Sequence, residues 1–411
     1  MILIFVLFLF LQISFVQVNS CLAADILPVA TDSVSYKLLG KLDGDIIYVR
    51  DTINLNNKIC ELPNEVTIKF KGGIIKNGTL IGNNTKLECT ESCLNRVRIL
   101  GTWNVQEIKS SFFSDLSYDN ALKDVVALSD SKVKNKIIID EGKYYVTAYK
   151  NGEVCIPIYD NTEIIINGDI ILSPNSFRNY YILRAKGRDI RISGKGAIIG
   201  DKQTHLGKDG EWGMGIDLED AHHTSVTGIT VKDCWGDCIY VGSGSTDITI
   251  SNCNIVNGRR QGISITSANG VRINNCIITD VKGTAPEYAI DIEPNRNETV
   301  TNVIIDNVII SKCMGGIMAG CYAENAQIGV VTITNSSISG EKHFILKFVN
   351  CDTAIIENNI VKNIDNKRVL VSKLVKKLVL QNNKLGKNTD FHVITDCNST
   401  VVRNNSGFNY K

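Results

Sequence analysis

From about residue 224 onward, hydrophobic and polar positions recur in one pattern. Two or three β-branched residues are followed by Asp or Asn and then by another short apolar run. Examples are Ile229-Thr230-Val231-Lys232-Asp233-Cys234, Ile248-Thr249-Ile250-Ser251-Asn252-Cys253 and Val271-Arg272-Ile273-Asn274-Asn275-Cys276. From Asp233 through Asn252, Asn275, Asn307, Asn335, Asn358, Asn382 and Asn404, the steps are 19, 23, 32, 28, 23, 24 and 22 residues. A second ladder runs in phase: Gly215-Ile216, Cys238-Ile239, Gly262-Ile263, Ala289-Ile290 and Gly316-Ile317. Short strands at this repeat length, with Asn at one corner and Gly at another, describe the turns of a parallel β-helix. Equivalent strands then stack at about 4.8 Å. Asn suits the corner because it tolerates the left-handed conformation, and stacked amides can bond along the ladder. A leucine-rich solenoid would need a Leu framework and helical segments, whereas Ile and Val dominate here.

One helix is predicted, over Asn120 to Ser129, with Ala121, Val125, Val126 and Leu128 on one side. It suits a cap over the open end of a solenoid core. Upstream, Tyr36 to Trp103 is strand-rich and predicts a small separate β unit, joined through Asn104 to Asp119. The expected division is 1–24 as a leader, 25–110 as the β-rich unit and 111–411 as the β-helix.

Composition agrees with the pattern. About 56 of the 411 residues are Ile and about 41 are Asn, favouring strands and turns respectively. A net charge of +1 speaks against a nucleic-acid partner. With 6 Pro and 33 Gly, collagen-like and Pro-rich disordered chains drop out. Met1 to Val18 is almost wholly apolar and is followed by Asn19, Ser20, Cys21, Leu22, Ala23 and Ala24, the architecture of a secretory signal lacking Lys or Arg at its start. Cleavage after Ala23 or Ala24 is one outcome. Lipidation of Cys21, in the loose lipobox Val18-Asn19-Ser20-Cys21, is another, and an uncleaved anchor is a third. The protein is therefore expected to be secreted or at the cell surface (periplasmic or outer-membrane-tethered in a bacterium), touching membrane only through a lipid anchor. Of thirteen cysteines, Cys234, Cys253 and Cys276 fall at one position of successive turns and read as buried small apolar residues. Only Cys89 and Cys93 are close enough in sequence to invite a local bridge.

Several segments carry a resemblance. The helix near Asn120, then Asp140-Glu141-Gly142-Lys143-Tyr144-Tyr145-Val146, then Ile192-Ser193-Gly194-Lys195-Gly196-Ala197-Ile198-Ile199-Gly200, resemble the pectate-lyase-like superfamily of single-stranded right-handed parallel β-helices. Within it, the chain looks most like polygalacturonase-type glycoside hydrolases. Their DDC strand resembles Gly236-Asp237-Cys238-Ile239-Tyr240-Val241, and their GHGIS strand resembles Arg260-Gln261-Gly262-Ile263-Ser264-Ile265. The chain departs from that pattern at Met214 and Gly236, where the family has Asp, and at Gln261, where it has His. Asp291-Ile292-Glu293 stands where the family carries RIK. The resemblance implies an all-β solenoid that acts on a polysaccharide. The departures mean that a galacturonate carboxylate would meet acids rather than cations.

Strand alternation sorts the side chains. In the Gly-Ile ladder, Ile and the residue two further on (Leu218, Val241, Ile265, Ile292, Ala319) point inward. Asp217, Tyr240, Ser264, Asp291 and Met318 point outward, followed outward by Glu219, Gly242, Thr266, Glu293 and Gly320. Asp237, Arg260, Gln261, Tyr240, Tyr288, Asp291 and Glu293 are expected on one face. Asp291 and Glu293 lie roughly 6.5–7 Å apart along a strand, and Asp237 lies two turns, roughly 10 Å, from Asp291. Inverting glycosidases hold their carboxyls about 6.5–9.5 Å apart, so Asp237/Asp291 and Asp291/Glu293 are both candidate acid/base pairs. Trp212, Tyr240 and Tyr288 are candidate sugar platforms, Arg260 and Gln261 candidate hydroxyl or carboxylate ligands, and His205 a contact from the loop leading onto the face. No organic cofactor is expected. Ca²⁺ is conceivable at Asp217, Asp291 and Glu293, which carry hard oxygen ligands. No Cys/His metal spacing, phosphate loop or nucleophile-elbow serine is present. Hydrolysis of glycosidic bonds is the leading expectation. A lyase or epimerase acting on uronic acids, or a non-catalytic glycan-binding surface or spike protein, are the alternatives.

Overall fold

A computed structural model describes residues 32–40, 42–362, 369–385 and 396–407. The expected leader and Cys21 lie outside the described residues. From Glu107–Lys109 to Ser399–Arg403 the chain coils as a parallel β-helix with three strands per turn. One row is a separate ten-stranded parallel sheet, from Lys143–Val146 through Thr230–Lys232 to Lys384–Leu385. The other two rows are linked where the chain rounds a corner without leaving strand conformation, as in Trp212–Thr227. One of these two carries Ile239–Gly242, Ile263–Ile265, Tyr288–Ile292 and Gly315–Gly320, and is called the cleft row below.

The register along the cleft row is the expected one. Ile216, Ile239, Ile263, Ile290 and Ile317 pair in sequence, as do Leu218, Val241, Ile265, Ile292 and Ala319, and all ten are wholly buried. Small residues precede the isoleucines because the next turn leaves no room: a Cβ on Gly262 would stand 2.4 Å from the Ala289 carbonyl oxygen. The Asp/Asn corner is equally clear. Asp233, Asn252, Asn275, Asn307, Asn335, Asn358, Asn382 and Asn404 all have φ between 51° and 59°, a region costly for most side chains and open to Asn and Asp.

Amide stacking, expected at that corner, joins Asn307 to Asn275 (2.7 Å), but it is more continuous one residue later. That next column reads Cys234, Cys253, Cys276, Val308, Ser336, Asn359, Asn383 and Asn405. At its end Asn359 donates to Asn383 (3.1 Å) and Asn383 to Asn405 (2.9 Å). The same interior position is filled by thiols at one end and by self-satisfying amides at the other. Cys89 and Cys93 form a disulfide, and nine of the other described cysteines are buried free thiols.

The helix is shorter than expected, Ala121–Val126. It packs both on the first coil strands and on Leu94–Trp103 of the N-terminal part, so it is enclosed rather than terminal. That N-terminal part is itself a largely parallel stack, in which Ile74–Glu88 pairs with Thr52–Glu61 and with Leu94–Trp103, each pairing with one register shift. Its buried residues, from Leu39 onward, run into the core of the coil without a break. The stretch expected as a plain connection is structured: Glu107–Lys109 pairs with Asn135–Ile139, while Phe113–Asp115 pairs back with Leu94–Trp103. Apolar Ile108 and Phe113, both buried in the same core, anchor these two strands. Among the described residues no helix is long and apolar enough to cross a membrane.

Candidate active site

The outward column of the cleft row is not solvated surface. Asp217, Ser264, Asp291 and Met318 are buried, as is Asp237, and Asp237, Ser264 and Asp291 floor a cleft of about 560 Å³. Loops raise its walls. On one side Trp212 stands 49% exposed at the end of loop 201–211. On the other are Pro294, Asn295 and Arg296, with Tyr322 and Ala323 from the turn after Gly315–Gly320. Tyr240 lies in the floor, its hydroxyl 2.7 Å from Thr266 Oγ1.

Asp237 and Asp291 are the centre of this floor. Asp237 is 0% exposed; one carboxylate oxygen accepts from the Ser264 hydroxyl and lies 3.4 Å from Arg260 Nη1. Asp291 is 2% exposed, and one oxygen accepts from Gln261 Nε2. The Oδ1 atom of each has no hydrogen-bond partner. Burial raises the pKa of both. At Asp237 the Arg260 guanidinium works against that rise. At Asp291 the Glu293 carboxylate adds to it, and the shift is large. Glu293 itself lies at the cleft edge, half-buried.

Three expected contacts are placed differently. Gln261 is wholly buried under the floor, donating to Asp291 and accepting from the Tyr288 backbone N–H (2.9 Å), so it positions Asp291 and does not face the cleft. Tyr288 is buried and stacked on His343 with centroids 5.8 Å apart, so it offers no open platform. The His205 side chain is enclosed, its Nδ1 2.7 Å from Asp201 and its ring stacked at 3.9 Å on Trp235. An apolar-faced ring beside a buried carboxylate is held inside rather than offered to solvent. His205 therefore anchors loop 201–211 from below. Arg259 holds the same loop from the other side, lying 3.7 Å over the Trp235 ring and donating to the Gly210 carbonyl (2.8 Å).

The anchored loop also accounts for a departure from the polygalacturonase pattern. A Cβ on Gly236 would meet the Glu211 carbonyl oxygen at 2.3 Å, so no acid fits where that family has one. Asp217 is engaged by Arg184, whose Nη1 also lies 3.1 Å from Glu219; burial pushes the Asp217 pKa up to about 6 against that guanidinium. Of the side chains considered for Ca²⁺, Asp217 is thus engaged by Arg184 and one oxygen of Asp291 by Gln261. No cluster of three or more His, Cys, Asp or Glu side chains suited to a metal occurs among the described residues. Ser264, Thr266 and Tyr322 complete the cleft. Strand alternation had placed the first two on this face, whereas Tyr322 sits in a turn without periodicity.

Fold and site together define a right-handed parallel β-helix protein with a carboxylate-floored lateral cleft. Residues 135–302 match the family model of a right handed beta helix region. The chain is 30% identical to the uncharacterized protein YclG of Bacillus subtilis (strain 168) over 40% of its own length and 33% of that protein's, so it spans about a third of this curated relative. Among solved structures it is similar to a tailspike protein mutant of E. coli bacteriophage HK620 in complex with pentasaccharide (TM-score 0.49, 14% identity, 69% of this chain and 61% of that one). It is also similar to the A-module of mannuronan C-5 epimerase AlgE6 of Azotobacter vinelandii (TM-score 0.43, 10% identity, 69% and 93%).

Proposed function

We propose that the protein is an exported carbohydrate-active enzyme that hydrolyses glycosidic bonds of a polysaccharide laid in the cleft. One observation carries the reading: two buried carboxylic acids, Asp237 and Asp291, share the cleft floor, and each has an oxygen without a protein partner. Unsatisfied buried acids are costly to stability, and active sites are where such groups are kept. Asp291, whose pKa is raised by burial and further by the Glu293 carboxylate, is the general acid that protonates the leaving oxygen. Asp237, beside Arg260 and Ser264, is the carboxylate that takes a proton from the attacking water. Their backbones lie two strand spacings apart, roughly 10 Å along the coil, and a water held between the two carboxyls would give inversion at the anomeric carbon. Gln261 and Arg260 position the two acids. Trp212, Tyr240 and Tyr322 present ring surface to sugar faces. The apolar segment Met1 to Val18 and the small residues after it support export.

A panel of polysaccharides tests the reading. New reducing ends, without the ultraviolet absorbance of an unsaturated uronate, are expected from at least one neutral polymer. That absorbance would instead identify a lyase. Tight binding with neither product would identify a non-catalytic glycan-binding protein.

A further inference from the structure

A second pocket, of about 460 Å³, opens where the N-terminal stack meets the first turn of the coil. Its walls come from both parts: Arg98 and Leu100 from Leu94–Trp103, Asp119 and Lys123 at the helix, and Tyr149 from the loop before Glu153–Ile158. Tyr149 and Leu100 are exposed apolar surfaces (44% and 47%). Between them sits Asp119, only 6% exposed. Its Oδ2 accepts from the Tyr149 hydroxyl, and its Oδ1 has no partner. An ionised carboxylate can only accept hydrogen bonds, and a buried oxygen left without a donor calls for one from outside the protein.

We propose that this pocket binds a neutral sugar ring, as a glycan-holding site separate from the cleft. A pyranose brings what the pocket lacks: hydroxyl donors for Asp119 Oδ1 and a C–H face for Tyr149 and Leu100. The Lys123 ammonium, at 2.6 Å from Glu153, is neutralised by that partner, and the Arg98 guanidinium shares the wall with the Asp119 and Asp124 carboxylates, so the site holds no surplus of positive charge to select an acidic sugar. Tyr149 precedes a strand of the cleft row, three turns before Ile239–Gly242 and five before Tyr288–Ile292. At the inter-strand spacing this puts it roughly 14–24 Å along the coil from the cleft. A chain lying parallel to the axis spans that distance, so the pocket would keep a polymer attached between cleavage events.

The test is binding rather than turnover, so it stands or falls independently of the proposed chemistry. Saturation-transfer NMR titrations of the full chain use D-glucose, D-galactose and N-acetyl-D-glucosamine, with D-galacturonate as the charged comparison, in a Trp212→Ala background that weakens the cleft. At least one neutral sugar is expected to bind, more tightly than galacturonate, and to lose roughly 3- to 10-fold in affinity on adding Tyr149→Ala, the loss of one ring contact. Leu100→Ala, on the opposite wall, should weaken the same sugar, and circular dichroism verifies that both variants are folded. Absence of binding by every neutral sugar would overturn the proposal. So would affinities unchanged in both folded variants, or a preference for galacturonate.

Discussion

Two columns of side chains stand one residue apart on the same strands and are almost equally hidden from water. The inner one, Ile216, Ile239, Ile263, Ile290 and Ile317, is apolar and packed into the core. The outer one, Asp217, Tyr240, Ser264, Asp291 and Met318, is mostly polar, and all but the half-buried Tyr240 are buried. The inner column stabilises by removing hydrocarbon from water. The outer column holds carboxylates away from water with incomplete hydrogen bonding, which costs stability. Burial has opposite meanings on the two sides of one strand. A polar buried column outside the coil marks a candidate site in a way that an exposed acidic column would not.

Breaking either column separates these meanings. The largest effect is expected from Asp237→Asn, which removes the proposed base: turnover should fall by about 10²–10⁴-fold, read as initial rates of reducing-end release, with thermal stability kept. On the inner side, Ile263→Ala should cost about 2–5 kcal/mol of stability, read by denaturant unfolding, with the remaining folded fraction still able to cleave. Beneath the floor, Gln261→Leu removes a donor to the Asp291 carboxylate. That change raises the Asp291 pKa further, so the alkaline limb of the kcat profile should move to higher pH. At the rim, Trp212→Ala should raise KM by roughly 3- to 10-fold with little change in kcat, the loss of one ring contact.

The pH dependence of stability sharpens the contrast more gently. Burial raises the folded-state pKa of Asp291. The native state therefore binds more protons than the unfolded chain, whose Asp titrates near pH ~4. The contribution of Asp291 to stability is present in full below that pH and is lost as pH rises through the folded-state value. The stability difference between wild type and Asp291→Asn, followed by thermal melts across this range, should favour wild type most at the acid end.

The inner column was legible in the sequence to single-residue register, because Ile-x-hydrophobic repeats and a small residue in front of each Ile leave one way to stack. The corner was legible for the same kind of reason, since Asn marks a left-handed backbone. The outward direction of Asp291 followed from alternation alone, whereas Asp237 was placed by its position at the entry of the strand that begins at Ile239. The burial of the two acids was not legible, because the residues that wall the cleft, Trp212, Pro294, Asn295, Arg296 and Tyr322, follow no repeat. The misplacements of His205 and Tyr288 have the same origin. Each ring is held by a neighbour far along the chain, Trp235 and His343, and no periodicity announces such pairs. The N-terminal stack shows no comparable repeat, and its register is irregular between Asn54 and Lys58 and again between Gly82 and Thr85.

The most direct measurement follows activity and melting temperature together in Asp291→Asn. Relieved of a buried, partly unsatisfied acid but deprived of its proton donor, this variant should lose nearly all turnover while melting at or above the wild-type temperature near neutral pH. Retained turnover, or a melting temperature that falls as it does in Ile263→Ala, would show that the outer column is ordinary structure and not a catalytic site.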